Sequence, residues 1–257
     1  MTTWDPAQYE KFRAQRMEPF FDLIAWIEPR PQMKAIDLGC GTGELTALLA
    51  ERFDLSQVEG VDSSEAMLEK SRTFQSERVS FRRADIDSID DYRSHDLIFS
   101  HAALQWVPDH ERLITVIASS LKTGAQLAVQ MPRNGDHPSH RIAAELASES
   151  PFRELLDGFI GRSHALALER YAELLHQHGL RRQRCIEKIY GHELPRTSEV
   201  VEWVKGTLLT PYLSRLAEPA RTAFLLEYRK RLMHDLGDRA PYFYPFRRML
   251  FWGMKGG

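Results

Sequence analysis

Between residues 35 and 131 short apolar runs alternate with amphipathic stretches, and the two differ in period. Residues 35–38 are an apolar run that ends in glycines, which reads as a strand entering a tight turn. Over 44–52 the apolar positions Leu45, Leu48 and Leu49 fall at helical spacing. A second strand is predicted over 58–62, after which Ser63, Ser64 and Glu65 supply helix-start chemistry ahead of Met67 and Leu68. Further strands are predicted over 79–84, 96–100 and 126–131. A short helix ended by Pro108 follows the fourth, and a helix over 114–121 with a Lys122-Thr123-Gly124 turn precedes the fifth. Strands alternating with helices at this spacing predict βαβ units and a parallel sheet.

Beyond residue 132 the pattern is mainly helical, with two late strand candidates over 184–190 and 248–254. Both can extend the sheet at one edge, with a helical insertion over 198–235 between them. Prolines 132, 138 and 151 mark a loop region rather than a boundary, so a single α/β domain is expected. In it, 1–30 forms an N-terminal helical lid, 31–132 the ligand-binding core, and 133–257 a helical cap plus the two late strands.

Composition narrows the partners. Hydrophobic content of 43% with 27% charge is that of an ordinary soluble globular protein. A net charge of −2 leaves no electrostatic footprint for nucleic acid. The basic residues are mostly Arg, which suits bidentate recognition of carboxylates but is also a common genomic preference. Cys40 and Cys185 make no disulfide framework, and neither they nor His164, His176, His178 and His192 show metal-ligand spacing. No metal is expected. The N-terminus lacks a signal-peptide pattern and no apolar run approaches ~18 residues. The expectation is a cytoplasmic protein off the membrane, with a monomer favoured.

The candidate chemistry sits where the first strand meets its glycines. Asp37 ends that strand, Gly39, Gly41 and Gly43 are spaced G-x-G-x-G around Cys40, and Asp62 ends the second strand. Glycines here let backbone N–H groups approach a ligand without an intervening Cβ. A pyrophosphate site would read G-x-G-x-x-G, and Glu44 at the helix start would repel a phosphate. The turn suits a ligand with a sulfonium and an ammonium instead. Asp62 can accept two hydrogen bonds from a ribose diol, and Asp85 one from an exocyclic adenine amine with Ile86 against the ring.

The motifs D-L-G-C-G-T-G, G-V-D-S-S-E-A-M, A-D-I, D-L-I-F-S-H-A-A-L-Q-W-V-P-D-H and L-A-V-Q-M-P resemble those of the class I methyltransferases. Within them the similarity is to the trans-aconitate methyltransferase family, and it runs from W-D-P-A-Q-Y near the N-terminus through H-E-L-P to the last strand. The turn reads G-T-G-E-L-T where that family tends to G-P-G-N-S-T, a change that spares the glycines. The resemblance implies a Rossmann-like sheet, mostly parallel, of seven strands with an antiparallel edge strand, helices on both faces and an added helical cap. It implies S-adenosyl-L-methionine as donor, S-adenosyl-L-homocysteine as product, and Asp37, Gly39, Cys40, Gly41, Gly43, Asp62, Ser63, Met67, Asp85, Ile86 and Ser100 as the residues around them. The implied reaction makes a monomethyl ester on a carboxylate of trans-aconitate or a similar small polycarboxylic acid.

A carboxylate is already ionised at neutral pH, so this transfer needs alignment and charge neutralisation rather than a base, and no catalytic residue as such is expected. Anion clamps are sought outside the glycine turn. Tyr9, Arg13 and Arg16 lie on the predicted lid, with Tyr9 and Arg13 one helical turn apart. His101 and Gln105 follow the fourth strand at the same spacing, nearest the methyl, with Trp106 as a packing wall at the carboxyl edge of the sheet. Arg133 follows the fifth strand, in a loop with Asn134 and His137. Trp203, Tyr212, Tyr244 and Arg247 form a further candidate surface. Two alternatives stand beside this reading: another acid such as a malonyl group on a carrier protein, or a protein that binds the donor without turnover.

Overall fold

The computed structural model describes residues 13–161 and 163–257, with the side chains of 13–16 excepted. Five strands, β1 (Lys34–Leu38), β2 (Gln57–Asp62), β3 (Val79–Arg83), β4 (Leu97–His101) and β5 (Gln126–Pro132), pair in parallel. Together with β6 (Arg182–Leu194) and β7 (Tyr242–Met254) they make a seven-stranded sheet of order β3-β2-β1-β4-β5-β7-β6. The order reverses between β1 and β4, the switch point at which open α/β sheets bind ligands outside the strand carboxyl ends.

The antiparallel strand is β7, which pairs with β5 from Gln126↔Met254 to Pro132↔Arg248. It lies one place in from the edge expected for it, and β6 takes the edge. The sequences of the two strands explain the exchange. The run from Arg248 through Gly253 is buried at every position, as a strand covered on both sides must be, whereas the first half of β6 alternates exposed and half-buried.

Side-chain alternation sorts the core. On one face Ile36, Leu38, Ile98, Leu127, Val129, Met131 and Phe251 pack with Leu113 and Ile117 of α4 (His110–Ser120) and Leu174 and Leu175 of α7 (Leu168–Gln177). On the other face Phe20 of α1 (Arg13–Ile24) meets the Phe99 ring edge-on at 5.6 Å. There α2 (Glu44–Arg52) also bonds through Thr46 to Asp37. Gln126 anchors the chain leaving α1: its amide donates to Glu28 O (2.7 Å), and its carbonyl accepts from Glu28 N (2.9 Å) and Trp252 Nε1 (3.0 Å).

Helix starts follow capping chemistry more than apolar period. Asp109 accepts from Arg112 N at 3.0 Å and starts α4 at His110, four residues before the expected 114, where the apolar repeat begins. Pro138, expected in a loop, is the first residue of α5 (Pro138–Ser148), and the His137 ring caps it by accepting from Ser139 N. Between β2 and β3, α3 (Glu65–Ser71) is capped by Ser64, whose side chain accepts from Met67 N.

The chain forms two compact units. One comprises Glu18–Arg133, His164–Lys188 and Arg248–Gly257, and so holds β1 to β5. The other takes in Asn134–Ser163 and Ile189–Arg247. Its own core joins Ile142 and Leu146 of α5 to Trp203 of α8 (Glu199–Lys205) and to Phe224, Tyr228 and Leu232 of α10 (Ala220–Leu236). Between α8 and α10 runs α9 (Thr210–Arg215), and the short α6 (Phe152–Leu155) follows α5. No helix among the described residues is long and apolar enough to cross a membrane.

Candidate active site

The glycine turn after β1 is held from behind. Gly39 N and Cys40 N both donate to Val61 O, at 2.8 and 2.9 Å, which draws the turn over the end of β2. A Cβ on Gly39 would lie 2.1 Å from that of Ala103, so this glycine is fixed by close packing against the segment after β4. Gly41, at φ +55, has nothing within 4 Å of where its Cβ would stand. Its backbone therefore faces open space, as an approach surface for a ligand must.

The acids at the strand ends are placed in three different ways. Asp62 Oδ2 accepts from Gly41 N at 2.9 Å and Oδ1 from Ser64 N at 2.8 Å, so this carboxylate braces the turn. Each oxygen keeps capacity for a second hydrogen bond. Asp37 is buried and accepts from Thr46 Oγ1 at 2.6 Å. Burial pushes its carboxyl up to about 7, against the lowering effect of the Thr46 bond and with a further push from Asp62. Asp85 is exposed just past β3, and Ile86 leans toward Gly39, its Cδ1 3.7 Å from where a Cβ would be. Among the described residues none of the three acids has an ion-pair partner. A row of uncompensated carboxyls beside an open glycine backbone fits a ligand that brings its own positive charge.

Of the other residues expected here, Ser63 is exposed and Met67 half-buried. Cys40 is buried beside two acids, which holds its thiol protonated. Ser100 donates to Leu38 O at 2.7 Å, and what it does in this fold is tie β4 to β1.

Across the switch point, His101 ends β4 directly opposite Gln130 of β5. Residues opposed in this way project from the same face, and Phe20 meets the His101 ring edge-on at 5.9 Å. Burial and the positive charge of Arg248 push His101 down to about 3, so the imidazole is neutral at physiological pH. The chain then turns through Ala102 at φ +55, whose N donates to Gln130 O at 2.9 Å. Gln105 Nε2 closes the turn on Ala102 O at 2.6 Å. His101 and Gln105 are therefore not one helical turn apart as the spacing suggested. The strand persists to 101, and only Leu104–Trp106 is helical, as a single 3-10 turn. Trp106 is 57% exposed and walls no part of the protein core.

Of the arginines expected at the site, Arg133 follows β5 and Arg247 lies within β7. The pleat that aims Gln130 toward α1 aims Met131 the other way, and the charge of Arg133 bears on the Tyr171 phenol in the α4–α7 layer. Arg247 is exposed, while Arg248, one residue on, is 5% exposed. Arg248 opposes Pro132 and Leu250 opposes Gln130, which puts Arg248 on the face of Gln130 and His101. Both missed residues carried a signal. They are polar side chains inside runs, Q-L-A-V-Q-M and R-M-L-F-W-G-M, that otherwise read as fully buried strands.

In the second unit Trp203 stacks on His192 (4.6 Å) and meets Tyr244 edge-on (5.7 Å). The Tyr244 hydroxyl accepts from Asn134 Nδ2 at 3.2 Å and shares a hydrogen bond with Ser139 Oγ at 3.1 Å, and Tyr212 stacks on Phe224 at 5.6 Å. These aromatics are core of that unit. Tyr9 lies outside the described residues, as do the side chains of Arg13 and Arg16.

Residues 29–177 match a family model described as a methyltransferase domain. The trans-aconitate 2-methyltransferase of Deinococcus radiodurans is 43% identical over 256 residues, 97% of each chain. Those of Acidovorax ebreus and Variovorax paradoxus are 40% and 37% identical, over 93% and 90% of each chain. Among solved structures, the YcgJ protein of Bacillus subtilis matches with a TM-score of 0.61 at 15% identity, over 94% of this chain and 99% of that one. The phosphoethanolamine N-methyltransferase 2 of Haemonchus contortus, solved with S-adenosyl-L-methionine, matches 94% of this chain with a TM-score of 0.58 at 19% identity. This chain spans 53% of the length of that protein, and at such identities the likeness speaks for the fold.

Proposed function

The chain belongs to the family of the trans-aconitate 2-methyltransferases, and on that premise we propose that it esterifies one carboxylate of trans-aconitate or a close polycarboxylic relative. The observation that carries the reading is the open Gly41 backbone, braced by Asp62 at the switch point amid acids that no described cation neutralises. S-adenosyl-L-methionine is the donor, and when bound it supplies a methyl group on a sulfonium that an ionised carboxylate attacks directly. The acid's oxygen forms a bond to the methyl carbon as the carbon–sulfur bond breaks and its electron pair stays on sulfur. No proton moves, so the transfer needs no poised base.

The residues divide the work. Asp37, Gly39, Cys40, Gly41 and Gly43 shape the seat for the donor's amino-acid end. The second lone pairs of Asp62 take the ribose hydroxyls, with Ser63 and Met67 alongside, and Asp85 takes the adenine amine with Ile86 on the ring. On the acceptor side, neutral His101 offers a hydrogen bond without adding charge beside the sulfonium, and Gln105 and Trp106 border it. A cage that held the donor's positive charge too strongly would slow a reaction in which that charge disappears. Tyr9, Arg13 and Arg16 are assigned to closing over the acid, and the buried Cys40 thiol suits a reducing cytoplasm.

Incubation with methyl-labelled donor and trans-aconitate tests this directly. Label should appear in a small product and be released by alkali, as an ester requires. Absence of transfer to trans-aconitate and to every related tricarboxylate overturns it.

A further inference from the structure

Two buried glutamines stand four residues apart on the same face of β5, and the protein treats them oppositely. Gln126 has every polar atom engaged, by Glu28 N, Glu28 O and Trp252 Nε1. Gln130 is 0% exposed, and among the described residues neither Oε1 nor Nε2 has a hydrogen-bond partner. Opposite it on β4, half-buried His101 has its Nε2 equally without one. An unmatched buried amide destabilises a fold, and two unmatched side chains on adjacent strands at the ligand-binding edge are not a packing accident. The same face carries the Arg248 guanidinium, whose charge reaches His101. Ala102, strained at φ +55 and tied to Gln130 O, holds the chain at the rim of this place.

We propose that Gln130 and His101, on the Arg248 side of the sheet, form the subsite for a carboxylate of the acid that is bound but not methylated. The Gln130 amide donates to a carboxylate oxygen, neutral His101 donates to the same group, and Arg248 supplies the favourable field. Donors with a positive neighbour are complementary to an anion, whereas the ends of β1 to β3 carry acids and suit the cationic donor. The assignment rests on the function proposed above. The donor's own amino-acid carboxylate is the one other source of this chemistry, and the measurements separate the two.

Gln130→Met keeps the volume and removes the amide, and Gln130→Asn keeps the amide but draws it back. In Gln130→Met the KM for trans-aconitate, and its dissociation constant measured with S-adenosylhomocysteine present, should rise about 10- to 100-fold, the worth of a hydrogen bond to a charged group. Donor affinity should hold within about twofold, and Tm should not fall, because an unmatched polar group has been replaced by an apolar one. Gln130→Asn should fall between, and it carries the same measurements if the Met variant does not fold. Unchanged acid affinity with lowered Tm would assign the amide to the fold and overturn the subsite, and a weakened donor with unchanged acid would assign it to the donor. If the native protein binds the acid without methylating it, and Gln130→Met abolishes that binding, the subsite stands and the proposed reaction falls. If the native protein binds no carboxylic acid, the subsite falls with it.

Discussion

Asp37 has to carry a negative charge that its own burial resists. With its carboxyl pushed up to about 7, the side chain divides between its two forms near neutral pH in the ligand-free protein. Between the unfolded value near 4 and about 7 the folded chain holds a proton that the unfolded chain has released, so this group lowers stability as pH rises through that window. A cationic ligand beside it reverses the preference and expels the proton. Donor affinity should therefore rise from pH 6 to pH 8, with proton release measurable by calorimetry in buffers of different ionisation enthalpy. Asp37→Asn should flatten that dependence, and a flat profile in the native protein would remove Asp37 from the cationic end. At this scale the sequence was informative where a residue type had one use. The spacing of glycines and acids at the strand ends singled them out as candidates, and the structure brings the Gly39–Gly41 turn, Asp37 and Asp62 together at one edge of the sheet. The arginines could not be singled out in this way, because Arg247 and Arg248 differ only in which side of a pleat they take, and that is set by the β5–β7 register.

For β5 the two glutamines make opposite predictions. Gln126→Leu would leave Glu28 N–H and C=O, which are half-buried, and the buried Trp252 indole N–H without their partner. A loss of about 2–4 kcal/mol is expected, read by denaturant unfolding, together with loosening of the chain after α1. Gln130→Met, on the same strand and face, should lose no stability. Equal losses at both sites would mean that Gln130 also serves the fold. Elements with their own apolar period were legible to within a residue or so, as α2 and the first five strands show. Those whose limits depend on a cap or a turn, such as the starts of α4 and α5 and the break after His101, were not, because a single Asp, Pro or Ala102 outweighs the surrounding pattern.

At the scale of the whole molecule, buried neutral histidines set the acid limit. Burial pushes His101 down to about 3 and His137 and His140 to about 4. In the unfolded chain all three take up protons below about 6.5, while the folded chain takes them up only near 3 to 4. The three histidines outweigh the opposing effect of Asp37 in the same window, so stability should fall from pH 6.5 toward pH 4, and His140→Phe should shallow the fall. A melting temperature independent of pH from 7 down to 4.5 would contradict this. The sheet order from β1 to β5 follows from the βαβ pattern, but the inner place of β7 depends on a pairing across more than a hundred residues that no local period encodes. The division into two compact units was hidden for the same reason, since β6 and β7 each begin in one and end in the other.

In the proposed reaction a carboxylate of a small polycarboxylic acid receives the methyl group. A mass spectrum of the small-molecule products, after reaction of trans-aconitate with a donor bearing a trideuterated methyl group, reads this most directly. One new species is expected, trans-aconitate carrying a single trideuteromethyl ester and reverting to the free acid in alkali. Unchanged trans-aconitate, or label recovered in an alkali-stable ether, amine or carbon-linked product, would contradict it.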